Sequence, residues 1–349
     1  MPRYLGPWLV TAVLLAQATY AMGPLFVKGG NAPTWPRQTV LRVQLEAEGV
    51  DGLPDPAQVR RAVETAANIW NETAKQLPAA DSPPITIESD PAPNIPDGEF
   101  SKYIVVRENG SFDVPSTAIS SRIIIEDVAG AILQAPGVNQ NNLIGNTFPW
   151  SPEDPSAGLT GFAIVIRKSN LEDGRSFDWD EDGLVAVLVH EFGHSFNLGH
   201  SENPHGILNP LQPDERAPVM YPVVHRRTIG EDDKASLALL YPSAIVADTY
   251  VRVSGRVVTA DGTFVQNASV ILEPVGAGGI GSYSAFTRSN REGRPGEYDL
   301  LVLPGRYSVF VENPRFQQER RTQPRIPDNV PELQVDKGKP ILNHVIQLP

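Results

Sequence analysis

The chain has 349 residues, of which 41% are apolar and 20% are charged, with a net charge of −12 at pH 7. This is an ordinary globular composition, and the length is sufficient for two domains. Nucleic acids and anionic membranes bind through basic patches, so the acidic balance argues against both as partners. The chain contains no cysteine, so its stability cannot depend on disulfides.

Residues 1–21 have the pattern of a secretory signal peptide. Arg3 supplies the positive charge, residues 5–18 form a short apolar region, and Ala21 is a small residue at the expected cleavage point. A membrane anchor is the alternative, but an anchor needs about twenty unbroken apolar residues. We therefore expect a secreted protein (periplasmic in a Gram-negative bacterium) that is not stably inserted in a membrane once the signal is removed.

A short Gly- and Pro-rich segment, 22–36, leads into strand and helix patterns. Residues 39–45 alternate between apolar and polar side chains, which is typical of a strand. An Asp-Pro pair followed by an apolar stripe at helical spacing predicts an amphipathic helix over 56–76. The same rules predict strands at 85–87, 103–107, 122–126 and 162–167, and a surface loop at 132–158.

The acidic segment DWDEDG comes directly before the next predicted helix. It matches the opening of an EF-hand loop, but the closing position holds Val189 where the loop needs Glu. We interpret the segment as a turn and helix cap, with the helix beginning near Gly183 and Asp182 as its N-cap. Calcium held by Asp178 or Asp180 is the alternative interpretation.

The stretch HEFGHSFNLGH contains three histidines and a glutamate at informative spacings. His190 and His194 are four residues apart, so on a helix they share one face. His200 can join them only if the chain turns, and Asn197 is placed to turn it because Asn tolerates the left-handed conformation. Glu191 can reach a metal-bound water. Three protein ligands plus water are the usual catalytic zinc site; the alternative is a buried helix with hydrogen-bonded histidines.

This stretch resembles the metzincin zinc-peptidase signature HExxHxxGxxH, and the sequence after it resembles the matrixin branch of that family. The segment APVMYP resembles the Met-turn, in which a methionine, here Met220, lies beneath the metal. The runs RRTIGEDD and LLYP resemble the last helix of the family and its end. The resemblance covers roughly residues 35–241 and is close only from about Gly183 onward.

Several features depart from the family pattern. The glycine of the zinc signature is Asn197, and the Pro-x-Tyr that borders the specificity pocket in many matrixins is replaced by Pro222-Val223-Val224. The cysteine switch is absent because the chain has no cysteine. No histidine precedes His190, so the second, structural zinc of the family is not expected.

The resemblance implies a secreted zinc endopeptidase that acts on protein or peptide substrates. One catalytic zinc would be held by His190, His194 and His200 and would activate a water, with Glu191 as the general base. The strand at 162–167 would occupy the edge position along which matrixins place their substrate. The alternative is a catalytically impaired, peptidase-like binding or surface module. We expect a monomer.

Beyond residue 242 the pattern changes to short alternating strands separated by turns. This part resembles the carboxypeptidase regulatory-like, transthyretin-type sandwich. We predict an α+β fold, with a metzincin-type catalytic domain at 37–243 (a twisted mixed sheet and an active-site helix) and an all-β sandwich at 249–349. Because the zinc motif and Met-turn are complete by residue 241, the motifs predict that the sandwich is dispensable for peptide-bond chemistry.

Overall fold

The computed structural model describes residues 9–12, 24–25, 31–46, 48–76, 85–90, 105–106, 112–115, 121–126, 145–150, 158–172, 175–201, 217–221, 227–242, 246–276, 281–288, 294–312 and 331–348. The chain divides into two compact units. The first comprises Met1–Ala18, Pro33–Asn71 and Ile85–Phe196, and the second comprises Thr19–Ala32, Glu72–Pro84 and Asn197–Pro349. Most of the predicted signal peptide lies outside the described residues.

Most of the elements up to residue 196 belong to the first unit. In chain order they are β1 (Leu9–Ala12), β2 (Thr39–Leu45), α1 (Pro56–Gln76), β3 (Ile85–Ser89), β4 (Val105–Val106), β5 (Phe112–Pro115), β6 (Ser121–Glu126), β7 (Gly145–Trp150), β8 (Gly161–Arg167), β9 (Asn170–Glu172), β10 (Arg175–Phe177) and α2 (Glu181–Ser195). The main sheet has the strand order β3-β2-β6-β8-β7. All of its pairs are parallel except β7–β8. Smaller sheets are β1-β5-β4 and β10-β9.

The positions of β7 and β8 correct two sequence predictions. Residues 162–167 were expected to form the edge strand, but β8 lies between β6 and β7, and all seven of its residues are buried. A strand that is apolar on both faces needs cover on both faces, which suits an interior place in a sheet. The edge strand next to β8 is β7, which lies within the predicted loop 132–158, and β3 forms the opposite edge. Pro149 of β7 fits an edge position because proline cannot donate a ladder hydrogen bond.

The two long helices follow from their sequences. Helix α1 spans the predicted residues 56–76. Helix α2 begins at Glu181, with Asp180 as its N-cap rather than Asp182. Asp180 has an extended backbone, and its Oδ1 accepts a hydrogen bond from the Gly183 N–H at 2.6 Å. Asp182 therefore lies in the first turn, where its charge suits the helix dipole. Every residue of α2 from Leu184 onward is buried.

The second unit contains two further helices and the C-terminal strands. They are α3 (Glu231–Leu240), α4 (Val246–Thr249), β11 (Val251–Val258), β12 (Ser269–Pro274), β13 (Tyr283–Phe286), β14 (Glu297–Val302), β15 (Gly305–Glu312), β16 (Glu332–Val335) and β17 (Ile341–Gln347). We call β11 to β17 the C-terminal β region. Its sheets have the orders β14-β11-β17 and β13-β12-β15-β16. Helix α3 packs against β13 and β14.

The observed elements confirm a mixed fold of the α+β type in general terms, because sheet predominates and helices are interspersed. The boundaries predicted at 243 and 249, like the finer assignments of both domains, stay predictions. None of the described helices combines the length and the apolar character needed to cross a bilayer.

Candidate metal centre

Helix α2 places two of the predicted ligands side by side. The Nε2 atoms of His190 and His194 are 3.1 Å apart, and the rings meet edge to face with centroids 4.7 Å apart. This is the geometry expected for residues one helical turn apart on the same face. Both side chains are buried, at 3% and 6% exposure.

The chain leaves α2 through a sharp turn. Phe196 caps the helix, with its N–H donating to the carbonyls of Gly193 and His194. Asn197 then adopts a φ of 69°, which confirms the left-handed conformation predicted for it. Its side chain is fully buried, and its carbonyl accepts a hydrogen bond from the Leu25 N–H at 2.6 Å. Asn suits this position because it enters the left-handed region at lower cost than most other non-glycine residues.

The turn brings the third histidine to the other two. One ring nitrogen from each of His190, His194 and His200 lies within 4.8 Å of the others, so the group can hold a metal ion. Tetrahedral zinc with Zn–N bonds of about 2.0–2.1 Å separates its nitrogen ligands by roughly 3.3 Å. The 3.1 Å between the two helical Nε2 atoms is close to that separation. An all-imidazole donor set also suits zinc.

Glu191 lies on the same helix and is only 4% exposed. The hydroxyl of Thr147, on β7, lies 2.5 Å from Glu191 Oε2 and 2.9 Å from the Glu191 carbonyl oxygen, so it can donate to either. Burial raises the pKa of Glu191 to about 8, and the hydrogen bond from Thr147 opposes that rise. A cation held by the histidines would lower this pKa, because an opposite charge favours the ionised carboxyl group.

A glycine on β7 leaves room for this carboxyl group. A Cβ atom at Gly145 would lie 2.9 Å from Glu191 Oε1 and 2.8 Å from a methyl group of Val187. Both separations are shorter than ordinary van der Waals contacts, so a larger residue here would displace the Glu191 side chain. Sequence reasoning did not find Gly145 or Thr147, because the pattern around them predicts a loop.

Two buried tryptophans fix α2 by donating to its carbonyls. The indole N–H of Trp35 donates to the Ser195 carbonyl at 2.8 Å, and that of Trp70 donates to the Val189 carbonyl at 2.7 Å. Trp70 also meets Phe196 edge to face. The sequence placed Trp70 in the core stripe of α1 and did not indicate its hydrogen bond. Both donors help to hold the helix that carries the ligands.

The predicted Met-turn is tied to α3. Asp233 accepts hydrogen bonds from the backbone N–H groups of Val219 at 2.9 Å, Met220 at 3.1 Å and Gly230 at 2.7 Å. Burial raises the pKa of Asp233 to about 6 although these donors act in the opposite direction. The Met220 carbonyl accepts from the Ser201 N–H at 2.8 Å. Met220 itself is fully buried. Asp233 stands three residues after the N-cap Gly230, the position from which an acidic side chain can accept from the N-cap N–H, so this spacing could have identified it.

The remaining predicted residues do not join this group. Asp178 and Asp180 are exposed, and in the described part of the chain the histidines form the one cluster close enough to hold a metal. Calcium near these aspartates stays a prediction. Residues 222–224 lie outside the described ranges. His344 is half-buried in β17, and its Nδ1 lies 2.6 Å from the Tyr298 hydroxyl.

Comparison with known proteins gives short local matches to metalloproteinases. No family model matches the chain. A stretch of 101 residues is 35% identical to matrix metalloproteinase-25 of Mus musculus and covers 26% of this chain and 16% of that protein. A stretch of 69 residues is 41% identical to matrix metalloproteinase-25 of Homo sapiens and covers 20% of this chain and 11% of that protein. The chain thus matches less than a fifth of the length of either relative.

Similar chains among solved structures include the dioxygenase domain of a dioxygenase and carbohydrate-binding protein fusion from Streptomyces sp. SirexAA-E. The similarity covers 31% of this chain and 85% of that one, with 13% identity and a TM-score of 0.18. Values this low carry no argument about fold or function.

Proposed function

We propose that the protein is a zinc-dependent metallopeptidase that hydrolyses internal peptide bonds in protein or peptide substrates. One observation carries the proposal: three imidazoles converge within 4.8 Å, and a buried glutamate adjoins the first of them on the same helix. Imidazoles fit zinc, and a carboxylate beside the metal-binding group is placed to exchange a proton with a metal-bound water. The local similarity to metalloproteinases supports the same reaction class.

The residues of the chain have separate roles in this proposal. His190, His194 and His200 hold the metal, which when bound supplies a Lewis acid that polarises a water and the substrate carbonyl. Glu191 takes a proton from the attacking water and delivers it to the leaving amine, so that the water is divided between the two products. Thr147 holds the Glu191 carboxyl group in place through its hydroxyl.

The edge strand supports an extended mode of substrate binding. Strand β7 ends the five-stranded sheet, and it also carries the hydroxyl that contacts Glu191. An extended peptide can add to a sheet edge through backbone hydrogen bonds. A substrate bound along β7 would lie beside the proposed general base. In this proposal the substrate-binding strand is β7 and not residues 162–167, the strand that the resemblance implied.

The proposal also covers the parts of the molecule around the site. It includes export, with residues 1–21 removed, and a monomeric mature protein. The two sheets of the C-terminal β region would be the transthyretin-type sandwich, and residues 37–243 the metzincin-type domain. Calcium bound at Asp178 or Asp180 is not required for this chemistry.

Zinc analysis and the substitution Glu191→Gln test the proposal together. Glutamine keeps the size of the side chain and can still accept from Thr147, but it cannot take a proton. We expect wild-type protein to bind one zinc per chain and to lose activity with a chelator. The variant should keep its zinc while kcat for an unstructured peptide falls by at least about 100-fold.

Glu181→Gln is the matched control, because Glu181 is an exposed residue at the start of the same helix. It should retain wild-type activity. Near-normal hydrolysis by Glu191→Gln would reject the general-base role. Zinc binding by a wild-type protein that cleaves nothing would favour the alternative of a binding or surface module.

A further inference from the structure

A buried carboxyl group connects α3 with the C-terminal β region. Asp232, in the first turn of α3, is 2% exposed. Its Oδ1 accepts from the backbone N–H of Ser284 at 3.0 Å, and its Oδ2 accepts from the Ser284 hydroxyl at 2.9 Å. Ser284 lies on β13 and is fully buried. Burying a carboxyl group is costly unless hydrogen bonds compensate for the lost water, so these contacts hold the two elements in one arrangement.

The same carboxyl group also holds the residue after the third histidine. Ser201 is fully buried, and its hydroxyl donates to Asp232 Oδ2 at 2.7 Å. The hydroxyl oxygens of Ser201 and Ser284 are 3.3 Å apart, so both meet at one carboxyl oxygen. The Ser201 backbone N–H donates to the Met220 carbonyl. The backbone next to His200 is therefore fixed on one side by the Met-turn and on the other by Asp232.

We propose that Ser284, on strand β13 of the C-terminal β region, is a positioning residue for the metal centre. Ser284 orients the Asp232 carboxyl group, Asp232 holds Ser201, and Ser201 fixes the backbone from which the His200 imidazole projects. The inference rests on the metal-binding part of the proposed function and not on peptidase activity. The motifs alone predict a dispensable C-terminal region, whereas these hydrogen bonds predict that it contributes to metal affinity.

A structural role without positioning predicts a different result. If Ser284 only filled space in β13, its hydroxyl could be removed with a small loss of stability and no change at the metal. Groups that orient the ligands of a metal commonly change its affinity by roughly 10-fold to 100-fold. Metal affinity and ligand geometry, measured on the full chain, separate the two cases.

The chain offers a matched control serine. Ser269 is 1% exposed on β12 of the same four-stranded sheet, and within the described residues its hydroxyl has no hydrogen-bond partner. Ser269→Ala and Ser284→Ala thus remove the same atom from two buried strand positions. Of these two serines, only Ser284 contacts Asp232.

The experiment compares zinc affinity and Co²⁺ spectra across these variants. Zinc dissociation constants are measured by competition with a chromophoric chelator, and the visible absorption of the Co²⁺-substituted proteins reports ligand geometry. We expect Ser284→Ala to weaken zinc binding by about 10-fold or more and to shift the Co²⁺ spectrum. Ser269→Ala should match wild type in both measurements. Ser284→Thr, which keeps the hydroxyl, should restore most of the affinity.

A double variant tests the route of the effect. If Ser284 acts through Asp232 and Ser201, then Ser284→Ala should add little to the loss already caused by Ser201→Ala. Fully additive losses, or a Ser284→Ala protein with wild-type zinc affinity and Co²⁺ spectrum, would overturn the positioning role. A wild-type protein that binds no zinc would instead overturn the metal centre itself. If Ser284→Ala does not fold, Ser201→Ala tests the next contact of the same route and leaves the C-terminal strands unaltered. Wild-type zinc affinity in Ser201→Ala would then overturn the positioning role.

Discussion

At the scale of single residues, the contact between Thr147 and Glu191 is the one on which the proposed chemistry depends most directly. The carboxyl group is buried, and the Thr147 hydroxyl lies 2.5 Å from its Oε2. A buried carboxyl group without such a donor is both less stable and less well oriented. We therefore expect position 147 to influence the proposed reaction although Thr147 takes no proton itself.

We expect Thr147→Val to lower kcat for peptide hydrolysis by about 10-fold while KM and zinc content stay close to wild type. Valine keeps the branched shape but removes the only hydrogen-bond donor of that side chain. Glu191 therefore loses an orienting contact, whereas the contacts of the three histidines are unchanged. Steady-state kinetics with metal analysis checks this. Thr147→Ser retains the hydroxyl and should retain most of kcat. Loss of zinc from the valine variant would point to a wider structural role.

The residues that could be predicted from the sequence were those whose partners are close along the chain. His190, His194 and Asn197 follow from helical spacing and from the left-handed preference of Asn. Thr147 and Glu191 are 44 positions apart, and Ser284 and Asp232 are 52 apart. Serine and threonine occur throughout the chain, so nothing local distinguishes these two until the fold brings their partners to them.

At the scale of secondary-structure elements, the first turn of α3 carries two adjacent buried carboxyl groups with different tasks. Asp233 holds the Met-turn backbone, and Asp232 holds Ser201 and Ser284. Burial raises the pKa of Asp232 to about 7 and that of Asp233 to about 6. The unfolded chain ionises its aspartates near pH 4, at a pKa of about 3.9.

These pKa values predict how stability changes with pH. Between about pH 4 and pH 7 these two carboxyl groups bind more protons in the folded protein than in the unfolded chain, so their contribution to the free energy of unfolding falls as pH rises through that window. Asp232→Asn cannot ionise, and its amide can still hydrogen-bond to both serines. Between about pH 5 and pH 8 the free energy of unfolding of Asp232→Asn should therefore fall less than that of wild type. The difference between the two falls should be on the order of 2 kcal/mol.

Urea unfolding of both proteins at a series of pH values measures this difference. Contributions from Glu191 and from the histidines are common to the two proteins and cancel in the comparison. Parallel stability curves for wild type and Asp232→Asn would mean that the Asp232 carboxyl group stays ionised in the folded protein throughout this range.

Elements with one clear period were predicted well, and the order of strands was not. Helix α1 has the predicted bounds, 56–76, because its apolar stripe and its Asp-Pro start agree. Strand β8 was recognised as a strand but placed at the edge, whereas its apolar character on both faces is that of an interior strand. Strand β7 was missed because the sequence GNTFPW has no alternation, and its neighbours along the chain favour loops.

At the scale of the whole molecule, the N-terminal sequence predicts an exported chain. The first 21 residues have the charge and apolar pattern of a signal peptide. Expression in a secreting host should deliver the protein outside the cytoplasm with Met22 as its first residue. N-terminal sequencing of the exported protein checks the position. Retention of Arg3 in the exported protein would show that this segment is not removed.

The compact units combine stretches that are far apart along the chain. The second unit, for example, comprises Thr19–Ala32, Glu72–Pro84 and Asn197–Pro349. The domain boundaries at 243 and 249 that the motifs suggest stay predictions. Packing of α3 on β13 and β14 places the last helix with the C-terminal β region. The residues that pack against a helix can be far from it in the sequence, as β13 and β14 are from α3. A motif contains only the residues that carry the chemistry, so it does not indicate these packing partners.

The contact between Ser201 and Ser284 has a consequence for the order of events during synthesis. The two residues are 83 positions apart. A ribosome adds about 5–20 residues per second, so Ser284 is made roughly 4–17 s after Ser201. A nascent chain therefore carries all three imidazoles for several seconds before it carries Ser284, the residue proposed to position one of them. Metal capture by the growing chain would be weak during that interval, which would delay the proposed peptidase activity until synthesis is well advanced.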